Sequence, residues 1–314
     1  MSPSPLVVAH RGSSYRHPEH TLAAYASAIE EGADGLECDV RLTRDGHLVC
    51  VHDRKVNRTS DGRGIVSEKS LADLTSLDFG SWHRELPDSA DELVLAPGDE
   101  PGAGNRSVAP DLDPGDRQIS VGTDPLSGEA SGSGDDPVAV DTDLAGRQVL
   151  TLERLLETVV DAPRQVRLFV ETKHPTRYGG LVEQQLIRLL RRFGLAQPAD
   201  PDASTVIVMS FAPAGVRRVR LLAPTLPTVL LLDRVAPFRR DGSLPPGVGW
   251  AGPGLPILRA HPRYVQRVQA AGGRVYAWTA DDAADIELVL SLGVDAVATN
   301  RPHDVLTKLG RVTD

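Results

Sequence analysis

Cysteine is nearly absent. Two thiols, Cys38 and Cys50, in 314 residues exclude a disulfide framework and make a reducing cytoplasm the expected compartment. No run of about eighteen apolar residues occurs, so no membrane span is expected. The opening MSPSPLVVAHRG has neither a basic leader nor an apolar core, and no standard export signal is expected. Aromatic residues make up 4% of the chain, and no stripe of basic residues is interleaved with them, so nucleic-acid binding has no support. No Gly-x-Gly-x-x-Gly follows the first apolar segment, which counts against a dinucleotide site.

Positive charge is also unevenly scarce. The net charge is −9, yet Asp88–Asp143 alone holds fourteen acidic residues against Arg106 and Arg117, leaving about +3 for the rest of the chain. That stretch carries eight Gly, six Pro and six Ser, and no Phe, Trp or Tyr lies between Trp82 and Phe169. Such a composition buries too little apolar surface to offset ordering entropy. Residues 86–147 are therefore expected to be an acidic, largely disordered insertion, in which ELVLA and RQISV are the only pieces suited to a hairpin. The rest, about 250 residues, has the size of one barrel domain, so residues 1–314 are expected to be a single domain with this insertion.

Outside the insertion the sequence alternates strand and helix signals. Expected strands are 6–10, 35–40, 167–173, 205–211, 228–233, 255–260, 274–280 and 295–300. Helices are expected from Thr21, which suits an N-cap, and over 151–160, 181–194, 214–223, from Pro262, and from Asp281 to Gly293. Eight strands alternating with helices predict an α/β fold, a (β/α)8 barrel, with a doubly wound open sheet as the alternative.

One further segment, LVCVHD (48–53), is separated from GLECDV (35–40) by too few residues for a parallel crossover and must return antiparallel. Asp45-Gly46 suits a two-residue type I′ turn. That register sets Arg41 opposite Cys50 and Asp39 opposite His52, and it keeps Cys38 and Cys50 from meeting. Glu37 and Asp39, two residues apart on a strand, share one face. Two half-buried like charges repel unless a cation or a shared proton relieves them.

His10-Arg11-Gly12 ends the first strand, and Glu171-Thr172-Lys173 ends another. Barrel active sites are built at such C-terminal strand ends. Three carboxylates from two strands, with no matching Cys or His cluster, describe an oxygen-ligated divalent cation, Mg²⁺ or Ca²⁺. A structural ion network with Arg11, Lys173 and Arg41 is the plainer alternative. Arginine, lysine and a cation favour an anionic substrate, and two histidines, His10 and His52, can move protons near neutral pH. The combination points to phosphodiester cleavage.

The chain also resembles the glycerophosphodiester phosphodiesterases. The resemblance rests on HRG (10–12), P-E-x-T (18–21), GADGLECDV (32–40), T-x-D-G (43–46), VHD (51–53), NRTSDGxG (57–64), L-x-x-LDFGSW (74–82), ETK (171–173), SF (210–211), WT (278–279) and TNRP (299–302). It implies a (β/α)8 barrel that uses a divalent metal cation to hydrolyse a small-molecule glycerophosphodiester to glycerol 3-phosphate and an alcohol. By position it implies Glu37, Asp39 and Glu171 as metal ligands, His10 and His52 as the acid–base pair, and Arg11 and Lys173 as phosphate-binding residues. Glu19 and Trp278 are candidate substrate contacts. His20 replaces the Asn usual at its position, and the segment after the second strand is longer and more acidic than the family's usual insertion.

Two other activities fit less well. A lysophospholipase D or sphingomyelinase-D-like lipid phosphodiesterase needs an apolar mouth that SSYRHPEH does not supply. A non-catalytic binding protein would not be expected to keep the whole set of site residues. His47 reads as a solvated turn residue, and nothing beyond position supports His174, His261, Tyr15, Arg16 or His17.

Overall fold

The structure is a computed structural model that describes residues 4–85 and 147–312. The expected acidic insertion, with ELVLA and RQISV, lies outside the described residues but for its last residue, 147. Eight parallel strands close into a barrel: β1 (Leu6–His10), β2 (Gly35–Leu42), β4 (Arg167–Thr172), β5 (Val206–Ser210), β6 (Thr228–Leu232), β7 (Trp250–Pro253), β8 (Arg274–Ala277) and β9 (Ala296–Thr299). β1 pairs with both β2 and β9, which completes the ring. A short strand, β3 (Leu48–Cys50), adds antiparallel to the outer part of β2.

Helices α1 (Leu22–Glu30), α3 (Leu152–Val160), α4 (Leu181–Arg192), α5 (Pro213–Leu222), α6 (Leu255–Ala260), α7 (Tyr264–Ala270), α8 (Ala283–Leu292) and α9 (Pro302–Lys308) surround the barrel, and a short α2 (Leu71–Thr75) follows β3. Local chemistry sets their ends. Thr21 accepts from the Ala24 N–H, Thr151 from Arg154 and Asp282 from Asp285, each satisfying an orphan donor of the first turn. Outward strand residues such as Leu36, Val40, Leu168 and Val170 pack against the helices. Inward ones, including Val8, Phe169, Ile207, Met209, Val229, Trp250 and Tyr276, fill the barrel. Phe169 stacks on Tyr276 at 5.2 Å and meets Trp250 edge-on at 6.3 Å, closing the barrel below the site.

The eight-strand expectation holds, but one strand is misplaced. Residues 255–260 are helical, and the sixth barrel strand is Trp250–Pro253. Pro256 has no N–H to give a sheet ladder, whereas in the first turn of a helix it forfeits nothing.

The hairpin register also differs by one residue. Val40 faces Cys50, Arg41 faces Val49, and the Val51 N–H donates to Asp39 O. The turn is a three-residue loop closed by Thr43 and His47, with Gly46 at φ +89°, rather than a two-residue type I′ turn. Thr43 holds it open by accepting from the His47 N–H and donating to Asp45. Two consequences follow. Asp39 lies opposite Val51 rather than His52, and Cys38 and Cys50, both buried and free, fall on the same face of the hairpin rather than opposite ones.

After β3 the chain packs Val51, Val56, Val66, Leu74 and Phe79 with Val49 and Val149 into a small apolar cluster of its own. That cluster carries His52, Asp53 and Arg58 to the barrel mouth.

Candidate active site

Strand register builds the centre. His10 is paired with Glu37 across β1–β2, and Asp39 with Glu171 across β2–β4. Period-two alternation turns Glu37, Asp39 and Glu171 inward, and one oxygen from each lies within 4.8 Å of the others. All three are buried. Lys173, two residues past Glu171, lies 2.9 Å from Asp39 Oδ1 and 2.8 Å from Glu171 Oε1.

The first loop supplies the next partners. The Arg11 N–H donates to Glu37 Oε2 at 3.0 Å, and its guanidinium donates to Glu19 Oε1 at 3.1 Å. Arg11 Nε lies 3.2 Å from Asp39 Oδ2, close enough for charge attraction though not aligned as a hydrogen bond. Arg11 and His20 both occupy the left-handed region, at φ +59° and +60°. Between them Gly12 sits against α1 so closely that a Cβ would fall 2.6 Å from that of Ala24. Strained backbone of this kind is held by its surroundings, here by the site it builds.

Charge is unequally balanced among the carboxylates. Burial pushes Asp39 upward, but Lys173 and the His20 hydrogen bond outweigh it and hold the group well below the ordinary range. Burial, and then the Asp39 charge, push Glu37 well above its ordinary range and Glu171 up to about 8. Without a cation two of the three carboxyls thus favour their neutral form; a divalent cation would take the place of those protons on a set of hard oxygen donors, so the residues present fit Mg²⁺ or Ca²⁺.

The two histidines stand in contrasting surroundings. Asp281 fixes Asn300 by accepting from its N–H at 2.7 Å and its side-chain amide at 2.6 Å. A carboxylate only accepts, so the Asn300 oxygen faces His10 Nδ1 at 2.8 Å, and that nitrogen carries the proton. His10 Nε2 is left as a lone pair 3.9 Å from Glu37. Burial, followed by Arg11, lowers its pKa to about 3. His52 is more open, with Nδ1 at 2.7 Å from Asp53 Oδ1. Burial lowers its pKa while the Asp39 charge and the Asp53 hydrogen bond oppose the change. Arg41 does not join the acids: it donates to His52 O at 3.0 and 2.7 Å and so fixes the backbone there.

Other site residues gave little signal in the sequence. His20 bridges Asp39 Oδ2, at 2.9 Å, and the Tyr25 hydroxyl, at 2.8 Å. Tyr25 donates to Glu37 O. Asn300 and Arg58 fall within motifs, and Asp281 within none. Glu19 binds Arg11 and Arg58, so both its oxygens are engaged. Trp278 donates to Gly252 O at 2.7 Å and meets Phe211 edge-on at 5.3 Å. His174 pairs with buried Glu183 at 2.7 Å, and His47 and His261 are exposed.

Among the described residues no helix is long and apolar enough to cross a membrane. Residues 10–304 match the model of the glycerophosphoryl diester phosphodiesterase family. The chain is 43% identical over 298 residues to a probable glycerophosphodiester phosphodiesterase 1 of Mycobacterium tuberculosis, covering 95% of this chain and 90% of that one. It is 29% identical over 300 residues to a glycerophosphodiester phosphodiesterase of Bacillus subtilis, covering 95% and 84%. Its fold is similar to that of an Oleispira antarctica phosphodiesterase solved with the product sn-glycerol-3-phosphate, at a TM-score of 0.66 and 21% identity over 98% and 97% of the two chains. With family model, relatives and barrel in agreement, this chain belongs to the glycerophosphoryl diester phosphodiesterase family and is a phosphoric diester hydrolase.

Proposed function

We propose that the protein hydrolyses glycerophosphodiesters to glycerol 3-phosphate and an alcohol, with Glu37, Asp39 and Glu171 holding a divalent cation. The carrying observation is the convergence of those carboxylates within 4.8 Å beside His10, Arg11 and Lys173 at one end of the barrel. The bound cation would polarise a phosphoryl oxygen and stabilise the charge that develops in transfer. Arg11 and Lys173 bind the phosphate oxygens, one as a planar fork and the other as a point charge.

His10 is the base. Its Nδ1 proton is engaged by Asn300, so Nε2 can take the proton of the attacking oxygen. His52 is the acid: Asp53 engages Nδ1, and its hydrogen bond and the Asp39 charge favour the imidazolium, whose second proton, on Nε2, goes to the departing alcohol. As the new phosphorus–oxygen bond forms, the bond to the alcohol breaks and its electron pair stays on the alcohol oxygen, which His52 protonates. Trp278, braced by Phe211, presents an apolar face to the glycerol, while Glu19 acts on substrate through Arg11. The chain is one barrel domain interrupted at about residues 86–147. Its free thiols suit a reducing cytoplasm.

Glycerol 3-phosphate release from glycerophosphocholine, after metal stripping and titration with Mg²⁺ or Ca²⁺, tests this reading. Cation-dependent release that collapses in Glu37→Gln supports it. A folded protein that releases nothing under either cation, yet cleaves lysophosphatidylcholine, would move the assignment to a lipid phosphodiesterase.

A further inference from the structure

Arg58 lies in the NRTSDG motif, on a single 3-10 turn (Val56–Arg58) that the proposed chemistry does not use. Its guanidinium engages two carboxylates at once. Nε donates to Asp53 Oδ2 at 2.8 Å and Nη2 to Asp53 Oδ1 at 3.3 Å. Nη1 and Nη2 donate to the two oxygens of Glu19, each at 2.7 Å.

Each carboxylate leads on to a different part of the site. Asp53 Oδ1 holds His52 Nδ1 at 2.7 Å, and Glu19 Oε1 holds Arg11 Nη1 at 3.1 Å. A continuous path, His52–Asp53–Arg58–Glu19–Arg11, therefore joins the two sides of the mouth, and among the described residues Arg58 is the side chain that bonds both Asp53 and Glu19. Asp53 and Arg58 are partly exposed, at 32% and 45%, so neither is held by burial alone. Only a planar guanidinium with five donors can serve two carboxylates in this way; an ammonium is a point charge.

We propose, on the functional reading above, that Arg58 is a positioning residue that sets His52, through Asp53, and Arg11, through Glu19, in one geometry. Without it Asp53 is free to turn to solvent and His52 Nε2 loses its aim at the departing oxygen. Arg11 at the same time loses the bracing of Glu19. The first loss bears on proton donation and the second on phosphate binding, so they separate experimentally.

The test uses the cation-loaded full chain on two diesters of glycerol phosphate. Choline leaves as an alkoxide that needs a proton; p-nitrophenol leaves as a phenolate that does not. Arg58→Gln is expected to lower kcat on the choline ester about 10–100-fold and on the nitrophenyl ester by no more than about threefold. KM should rise severalfold for both. Arg58→Lys should recover part of the KM but little of the leaving-group dependence. Adding Arg58→Gln to Asp53→Asn should lower kcat on the choline ester little further, as expected for residues acting in series.

The nitrophenyl activity itself reports an intact fold and cation site. Equal kcat losses on both esters, or no loss on either, would overturn the positioning role while leaving the functional reading standing. A wild-type chain inactive on both esters would overturn that reading, and this inference with it.

Discussion

His20 Nε2 lies 2.9 Å from Asp39 Oδ2, and its other ring nitrogen lies 2.8 Å from the Tyr25 hydroxyl. Tyr25 in turn donates to the backbone carbonyl of Glu37 at 3.0 Å. His20 and Tyr25 are both buried, so these bonds are made where water does not compete. They tie α1 and the first loop to the Asp39 carboxylate and to the backbone of Glu37 on β2. The imidazole thus does more than replace the Asn usual at this position, because it spans from the strand to the helix.

Tyr25→Phe tests that tie. It leaves His20 Nδ1 and Glu37 O without their partner in the interior, which should cost about 1–3 kcal/mol in denaturant unfolding of the metal-free protein. Calorimetric titration with Ca²⁺ should show weaker binding by roughly 10–100-fold, the usual effect of removing support behind a metal ligand. Unchanged stability and unchanged affinity would show that the bond does not support Asp39.

Glu37→Gln keeps shape and removes one charge. Turnover of glycerophosphocholine should fall on the order of 10²–10³-fold or more, and Ca²⁺ affinity should fall with it. Retained affinity with lost turnover would place Glu37 outside the ligand set.

Much of the site could be read in the sequence because it is built from strand ends. Alternation alone puts Glu37 beside Asp39, and the strand-end position of His10, Glu171 and Lys173 directs them to one mouth. The hairpin register could not be read so. Asp45-Gly46 fits both a two-residue and a three-residue loop, and the decision rests on Thr43 bonding across the turn to His47. Apolar content also misled at 255–260, where Pro256 and a four-residue strand just before it were the better guide. His20, Asn300 and Asp281 act through contacts between distant segments, and no local pattern marks such contacts.

Removing the cation should leave a pH-dependent weakness. Burial and the Asp39 charge raise the Glu171 pKa from 4.5 to about 8, and Glu37 moves the same way. A carboxyl with a raised folded-state pKa keeps its proton on folding, so its contribution is present below 4.5 and is lost as pH rises toward 8. Asp39, shifted downward, contributes in full above its ordinary value of 3.8 and changes only below it, outside that window. His10, lowered from 6.5 to about 3, works in the opposite sense between those values, so the comparison is made above them: metal-free protein should melt at lower temperature at pH 8 than at pH 6.5. Glu171→Gln should remove much of the difference, raising Tm at pH 8 by about 5 °C. Thermal melts in chelator decide it; a variant that melts lower than wild type at pH 8 would refute the argument.

The pH profile separates the roles of the two histidines. If His52 is the acid, kcat/KM falls as pH rises through its pKa, because the proton it must give is lost. Burial lowers that pKa, and the Asp53 hydrogen bond is among the effects that raise it. Asp53→Asn removes a raising effect, so the alkaline limb should move to lower pH, with turnover at neutral pH falling accordingly. His10, held near 3 by burial and Arg11, should leave its limb well below neutrality and unmoved by this variant. If His52 were instead the base, activity would rise with pH through its pKa, and Asp53→Asn would shift an acidic limb rather than an alkaline one. Measuring kcat/KM on glycerophosphocholine from pH 4 to 9, in wild type and variant at saturating cation, distinguishes the two by which limb moves.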